Sequence, residues 1–285
     1  MNKLHKFTKA LGRIIRHPYL LNLVLQDEGS NTEDVIRKYG LTDGLPVIEI
    51  NELFPDFHET AKPYAYLSGA TMPIDIALLR ALAKRYEVKD YFEIGTWRGE
   101  SVANLADVAE HCVTFNLPKE DIIKLTDNQL YADLHSFFSK DLGNVEQLYG
   151  DSQTFDFVPH FGKYDMVFVD GDHHYESVKK DTETAFKLLK GERSIIVWHD
   201  YGLDPETIRW DVMGAILDGA PAEKRKHIYH VSNTLCAVYL PEDLPTHKLV
   251  PYETPKKYFE IDIKTQIIEN DYDNDRLSQV VEFHL

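Results

Sequence analysis

An α/β architecture, with a doubly wound and mostly parallel sheet, is what this 285-residue sequence predicts. Three observations carry that expectation. Short apolar runs at residues 91–94, 111–117, 144–149, 164–169 and 193–198 alternate with stretches whose apolar residues recur at helical spacing. The first run leads through Gly95 and Gly99 into Ser101-Val-Ala-Asn-Leu-Ala-Asp-Val-Ala. Strand, glycine turn and helix in that order form the junction at which such sheets hold a nucleotide-like ligand. The fourth and fifth runs end in the polar clusters Asp170-Gly-Asp-His-His-Tyr-Glu176 and His199-Asp200-Tyr201. With those strands beside the first, both clusters open at the same sheet edge as the glycine turn.

From the N-terminus, residues 1–26 carry Lys3, Lys6, Lys9, Arg13 and Arg16 and no acid. At helical spacing Leu4, Phe7, Leu11, Ile14 and Ile15 share one face, with the basic residues opposite, and Pro18 interrupts the helix. Such a helix docks on its own domain or on a dimer mate, or lies on an anionic membrane surface. Residues 27–62, punctuated by Gly29, Gly40, Gly44, Pro46 and Pro55, read as linker with short elements, Val47-Ile48-Glu49-Ile50 among them as a short strand. Pro73 suits the first position of a helix whose apolar face runs through Ile74, Leu78, Leu79 and Leu82.

Beyond the second strand, residues 118–143 exceed an ordinary crossover and include Tyr131, Phe137 and Phe138. They read as an inserted helix that covers the site or builds a dimer contact. The third strand ends in Gly150-Asp151-Ser152. After the fourth, Val178, Ala185, Leu188 and Leu189 mark a helix face, while His174, Tyr175 and Glu176 read as helix-start and packing residues. Asp204-Pro205 is expected to open a helix with Ile208, Val212, Ala215 and Ile216 inside, and residues 226–240 read as a hairpin-like pair. Residues 241–285 contain a strand-like piece, Tyr258-Phe-Glu-Ile-Asp-Ile, and an acidic tail. The expected division is therefore an N-terminal helical extension and linker (1–62), a main domain (63–240) and a C-terminal extension (241–285).

Composition narrows the function classes. A hydrophobic content of 43% supports a sizeable core, and no apolar run approaches the ~20 residues of a membrane span. The net charge of −16 repels a phosphate backbone and argues against DNA or RNA as substrate. Cys112 and Cys236 lie in apolar runs and read as buried free thiols in a reducing compartment. No secretory signal is read at the N-terminus, so a cytoplasmic location is expected.

The glycine spacing selects the ligand. A dinucleotide fingerprint requires glycine where Trp97 and Glu100 stand. What remains is Glu93-x-Gly95-x-x-x-Gly99-x-Ser101, which resembles motif I of the class I S-adenosylmethionine-dependent methyltransferases. Val-Asp-Gly-Asp-His-His-Tyr-Glu after the fourth strand and Trp-His-Asp-Tyr after the fifth narrow this. They look like the bacterial methyltransferase family that includes cephalosporin-hydroxylase-like and rhamnosyl O-methyltransferase proteins, and more distantly catechol O-methyltransferase. The resemblance covers about residues 65–240.

The resemblance implies a seven-stranded, Rossmann-like sheet with an antiparallel last strand. It implies that Glu93, Gly95, Thr96 and Gly99 surround the methionine part of S-adenosylmethionine while Ser101 meets its carboxylate. Asn116 stands where the family offers an acid to the ribose hydroxyls, Asp151 where one accepts from the adenine amino group, with Ser152 beside it. Ala70 and Thr71 lie in the loop that folds over the cofactor. Asp170, His199 and Asp200 fall on the positions that bind Mg²⁺ or another divalent cation, Asp170 also facing the cofactor and the chemistry, and His173 falls on the position of the base. The expected activity is a metal-assisted O-methyltransferase acting on a small-molecule or saccharide hydroxyl, with a homodimer as a further expectation. The alternative is a non-catalytic scaffold that keeps the fold, as a cofactor-binding or membrane-associated protein.

Overall fold

The computed structural model describes residues 3–18 and 32–268, in two units, Met1–Pro251 and Tyr252–Leu285. The strands described in the first unit are β1 (Val47–Ile48), β2 (Asp90–Ile94), β3 (His111–Asn116), β4 (Val145–Tyr149), β5 (Met166–Val169), β6 (Ile195–Trp198), β7 (Gly202–Asp204), β8 (Thr207–Ile208), β9 (Ile228–Val231) and β10 (Ala237–Tyr239). The helices are α1 (Lys3–Arg16), α2 (Thr32–Tyr39), α3 (Ile50–Leu53), α4 (Pro73–Arg85), α5 (Glu100–Leu105), α6 (Lys119–Thr126), α7 (Gln129–Asp133), α8 (Tyr175–Leu188) and α9 (Trp210–Gly219).

Eight strands form one sheet in the order β1-β9-β10-β6-β5-β2-β3-β4. Pairing is parallel throughout except at β10, which runs antiparallel to both β6 and β9. The expected antiparallel last strand is present. The expected count of seven becomes eight, because Val47 and Ile48 pair in parallel with β9 at the sheet edge.

Each long strand is apolar on both faces because both faces are roofed by helices. On one side Phe92, Ile94, Val113, Phe115, Val167, Val169, Ile196 and Trp198 pack with Val178, Ala185 and Leu188 of α8 and with Val212, Met213, Ala215 and Ile216 of α9. On the other, Tyr91, Cys112, Met166, Phe168, Ile195 and Val197 meet Leu78, Leu79 and Leu82 of α4 and Val102 and Leu105 of α5. Each such aliphatic or aromatic side chain contributes about 1.5–3 kcal/mol on burial. The polar tip of Trp198 is satisfied at no cost to packing, its indole N–H donating to Thr182 Oγ1 at 2.9 Å. Cys112 and Cys236 are both buried and free, as expected.

Three local expectations are corrected. Asp204-Pro205 opens a turn, not a helix: Asp204 Oδ1 accepts from the Glu206 N–H at 2.8 Å, β7 and β8 pair as a ribbon, and the helix begins only at Trp210. The local side-chain bond offers the backbone an alternative to helix. The helix after the glycine turn stops at Leu105 instead of running to Ala109. Residues 258–263 form no strand, and Ile261 and Ile263 are exposed; extended backbone needs a ladder partner, and none pairs with it among the described residues.

The strand order reverses at β2, which has β3 on one side and β5 on the other. In an open α/β sheet the crevice at such a switch point, beyond the carboxyl ends of the strands, is where ligands bind.

Candidate active site

The parallel register pairs Val169 with Trp198, so the residues that follow β5 and β6 leave the sheet side by side. Asp170 follows β5; His199 and Asp200 follow β6, with the His199 N–H donating to Val169 O at 3.0 Å. Asp200 holds a left-handed φ of 58°, which turns its carboxylate back toward its neighbours. One ligand atom each from Asp170, His199 and Asp200 lies within 4.8 Å of the others.

The imidazole of His199 is buried between three carboxylates. Its Nε2 is 3.2 Å from Asp75 Oδ2, and its Nδ1 is 3.0 Å from Asp170 Oδ1 and 3.5 Å from Asp200 Oδ2. Asp75 is fully buried in the first turn of α4 and is fixed from behind, its Oδ1 accepting from the Leu235 N–H at 3.0 Å. Nδ1 is within ion-pair distance of two carboxylates yet has no aligned hydrogen-bond partner. A carboxylate behind one ring nitrogen, and a second nitrogen grouped with two more carboxylates, could hold a divalent cation once the imidazole gives up its proton. One nitrogen and two carboxylate oxygens suit Mg²⁺ poorly only in the nitrogen, and admit Mn²⁺ or Fe²⁺ as well. Burial works against a charge on His199, but Asp170, Asp200 and Asp75 outweigh it and raise its pKa well above the ordinary value. Burial likewise raises Asp200, and its close contact with the charged His199 ring, with Arg209 and His173 adding to it, brings it below the usual value.

Asp75 was absent from the sequence reading, though a signal existed. It sits at helical spacing with Leu78, Leu79 and Leu82, a lone acid on the stripe that the sheet buries. Thr71 reaches the cluster too, its hydroxyl donating to Asp170 Oδ2 at 3.1 Å, while Ala70 stays in the preceding turn.

The glycine loop is fixed by close approach. Gly95 has φ 93°, and an added Cβ there would lie 2.1 Å from Asp170 O. Gly99 has φ 78°, and its Cβ would lie 2.4 Å from Ser139 Oγ. Only glycine meets both demands at either position. The first contact locks the end of β2 to the end of β5; the second brings the 128–142 segment over the loop. Two backbone bonds fasten that segment, Ser136 N to Trp97 O at 2.6 Å and Phe138 N to Arg98 O at 2.9 Å. Tyr131 and His135 pack on Trp97, with ring centroids 4.5 and 4.8 Å away. Loop 62–71 is strapped down by α5 and by Arg98 two residues ahead of it: Glu100 accepts from Ala65 N at 2.6 Å, Asn104 from Lys62 N at 2.5 Å, and Arg98 donates to Ser68 O at 3.0 Å.

The remaining residues singled out in the sequence fall into three places. Glu93 is fully buried on the α4–α5 side of the sheet, hydrogen-bonded by Tyr91 at 2.7 Å and by Ser101 and Thr114, with Thr96 bonded to Thr114. Glu93, Thr96 and Ser101 thus form one internal network beneath the loop. Asn116, at the end of β3, has its amide nitrogen 2.7 Å from His135 Nδ1. Asp151 is exposed and accepts from its own Gln153 N–H at 2.9 Å, while Ser152 bonds the buried Asp181. Desolvation raises Asp181 to about 6, and its Oδ1 has no partner. His173 is exposed, stacked on His174, and close enough to Asp200 for its charge to be felt there. Neither His135 nor Asp181 was foreseen; each acts through a neighbour distant in sequence, which leaves no local pattern.

This sheet, with its switch-point loop and its polar clusters at the ends of β5 and β6, is the Rossmann-like methyltransferase fold. Residues 92–201 match the family model described as a methyltransferase domain. Among curated proteins no match is found. Solved structures that resemble the chain include the O-methyltransferase TomG from Streptomyces achromogenes, involved in tomaymycin synthesis and bound to SAM. Identity is 18% and TM-score 0.41, over 76% of this chain and 91% of that one. An O-methyltransferase from Bacillus cereus in complex with SAH gives 15% and 0.42, over 78% and 96%. CalS11, a TDP-rhamnose 3'-O-methyltransferase of calicheamicin biosynthesis, gives 16% and 0.40, over 60% and 80%. Likenesses at this level carry no statement about acceptor or metal.

Proposed function

We propose that the protein is an S-adenosylmethionine-dependent O-methyltransferase, assisted by a divalent cation, that acts on a hydroxyl of a small molecule or saccharide. The observation that carries this reading is His199, held by Asp75 on one side and presenting a buried Nδ1 to Asp170 and Asp200, at 3.0 and 3.5 Å, on the other, beside the 95–99 loop. The methyltransferase-domain match over residues 92–201, which includes the loop, Asp170, His199 and Asp200, supports it.

In this reading the 95–99 loop, Asn116, Asp151 and Ser152 face the cofactor, whose sulfonium methyl is the electrophile. Asp170, His199 and Asp200 would hold the cation, which when bound lowers the pKa of an acceptor hydroxyl and fixes its oxygen. Asp75 keeps the His199 ring from turning, so that Nδ1 stays aimed at the two carboxylates. His173, exposed beside Asp200, takes the proton that leaves the hydroxyl. Loop 62–71 and the 128–142 segment exclude water and set the acceptor's approach, and positioning of that kind supplies much of the acceleration in a displacement.

Binding is tested first. S-adenosylmethionine at about 100 times its Kd stabilises a single-site binder by about 2.7 kcal/mol, a thermal shift of several degrees. No shift and no calorimetric heat at high cofactor concentration would overturn the reading. Asp200→Ala is expected to abolish metal-dependent methyl transfer while leaving cofactor binding within about twofold, since in this reading the cofactor's contacts lie on the loop side. A variant as active as the parent after chelator treatment would instead point to a metal-independent enzyme. The second reading, a scaffold that has lost turnover, is favoured by Asn116, which offers the ribose an amide already engaged by His135.

A further inference from the structure

We propose that α1 is a peripheral membrane anchor that lies on an anionic lipid surface. This goes beyond the catalytic reading and stands independently of it. None of the residues of α1 is buried. Its apolar stripe points into solvent, with Leu4 69%, Phe7 64%, Leu11 46% and Ile15 71% exposed. Four large apolar side chains on one exposed stripe of a single helix are a docking face, because isolated exposed residues do not align at helical spacing.

Charge decides the occupant. Lys3, Lys6, Lys9, Arg13 and Arg16 form the opposite face and flanks, and residues 1–26 contain no acid, which leaves −21 on the rest of a chain whose net charge is −16. The helix is thus the cationic pole of an acidic protein. The acidic body offers it an internal partner by charge, yet the stripe stays uncovered by the described residues of the chain. An anionic bilayer satisfies both faces together: Phe7, Leu4, Leu11 and Ile15 enter the acyl boundary while the long basic side chains extend to the headgroups. No described helix is long and apolar enough to cross a membrane, so the contact is with one leaflet. The acidic body is repelled by the same surface, and the helix therefore sets the orientation in which the remainder approaches it.

The test is co-sedimentation of the full chain with phosphatidylcholine vesicles and with vesicles containing about a third phosphatidylserine, at low and high salt. Binding is expected to the anionic vesicles alone and to fall in high salt. Each basic residue near such a surface contributes about fivefold, so K6E/K9E/R13E is expected to lower the partition coefficient more than about tenfold. Phe7→Glu with Leu11→Glu, which leaves all five basic residues in place and takes the segment's net charge from +5 to +3, is expected to lose binding as well, because the apolar contribution goes. These positions are exposed, and an unchanged thermal unfolding curve shows that the variants fold. Equal partitioning to both vesicle types, or anionic binding unaffected by either variant set, would overturn the proposal. So would a dimer in sedimentation velocity that Phe7→Glu dissociates, since the stripe would then belong to a second copy.

Discussion

Glu93 is a carboxyl group shut inside the protein, and its protonation follows from that. Desolvation raises its pKa from 4.5 to about 8, against the hydrogen bonds from Tyr91, Ser101 and Thr114 that favour the ionised form. At neutral pH the folded protein keeps the proton and the unfolded chain releases it. The group's contribution to stability is therefore complete below pH 4.5 and is lost as pH rises through about 8. The loss at pH 7 is roughly 3 kcal/mol, at 1.36 kcal/mol per pH unit. Glu93→Gln is expected to match the parent at pH 4.5 and to exceed it in chemical denaturation at pH 8. A parent whose stability is flat across that range would remove the argument.

At the same scale, Asp75 acts through His199. Asp75→Asn keeps an acceptor for Leu235 N and removes the charge behind Nε2. The expected outcome is a 10- to 100-fold loss in divalent-cation affinity, with activity recovered at high metal concentration. A metal titration separates this from a folding defect, because a merely structural role would not be rescued by the cation.

At the level of elements, the two glycines of the loop differ in what they touch, and their variants should differ accordingly. Gly99→Ala places a methyl group against the Ser139 side chain, where overpacking costs about 1–3 kcal/mol. It also holds alanine at a left-handed φ, at about 1–2 kcal/mol. Adding Ser139→Gly is expected to recover the first part and leave the second. Gly95→Ala collides with the backbone carbonyl of Asp170, so no side-chain truncation recovers it. Urea unfolding of the single and double variants reads the difference directly. The same contacts explain why the 128–142 segment is ordered over the loop: it is pinned at Trp97, Arg98 and Gly99 by backbone bonds and close packing, not by a core of its own.

For the molecule as a whole, the first unit contains the sheet and both of its helical layers, while residues 252–268 carry no helix or strand and are almost all exposed. A chain ending at Pro251 keeps every described helix and strand and is therefore expected to unfold with a Tm within about 2 °C of the full chain. A drop of 10 °C by calorimetry would show that the second unit supports the first.

Strand identity, strand order and the convergence of Asp170, His199 and Asp200 were legible in the sequence. Short apolar runs and the glycine spacing are local properties, and a parallel sheet delivers the ends of its strands to one edge wherever they lie along the chain. The depth of Glu93, the His135–Asn116 contact, Ser139 against Gly99 and the buried Asp181 behind Ser152 were not legible. Each depends on a partner 19 or more residues away, save Glu93's bonds to Tyr91 and Ser101. The 204–208 ribbon was misread as helix because one Asx turn outweighed an apolar stripe that resumes only at Trp210. By itself the sequence determined which segments would be strands and which polar residues would meet at their ends, because those follow from periodicity and topology. Only the tertiary structure decided that Asp75 stands behind His199 and that the described residues leave the α1 stripe uncovered, because burial and pairing are set by whichever distant segment arrives.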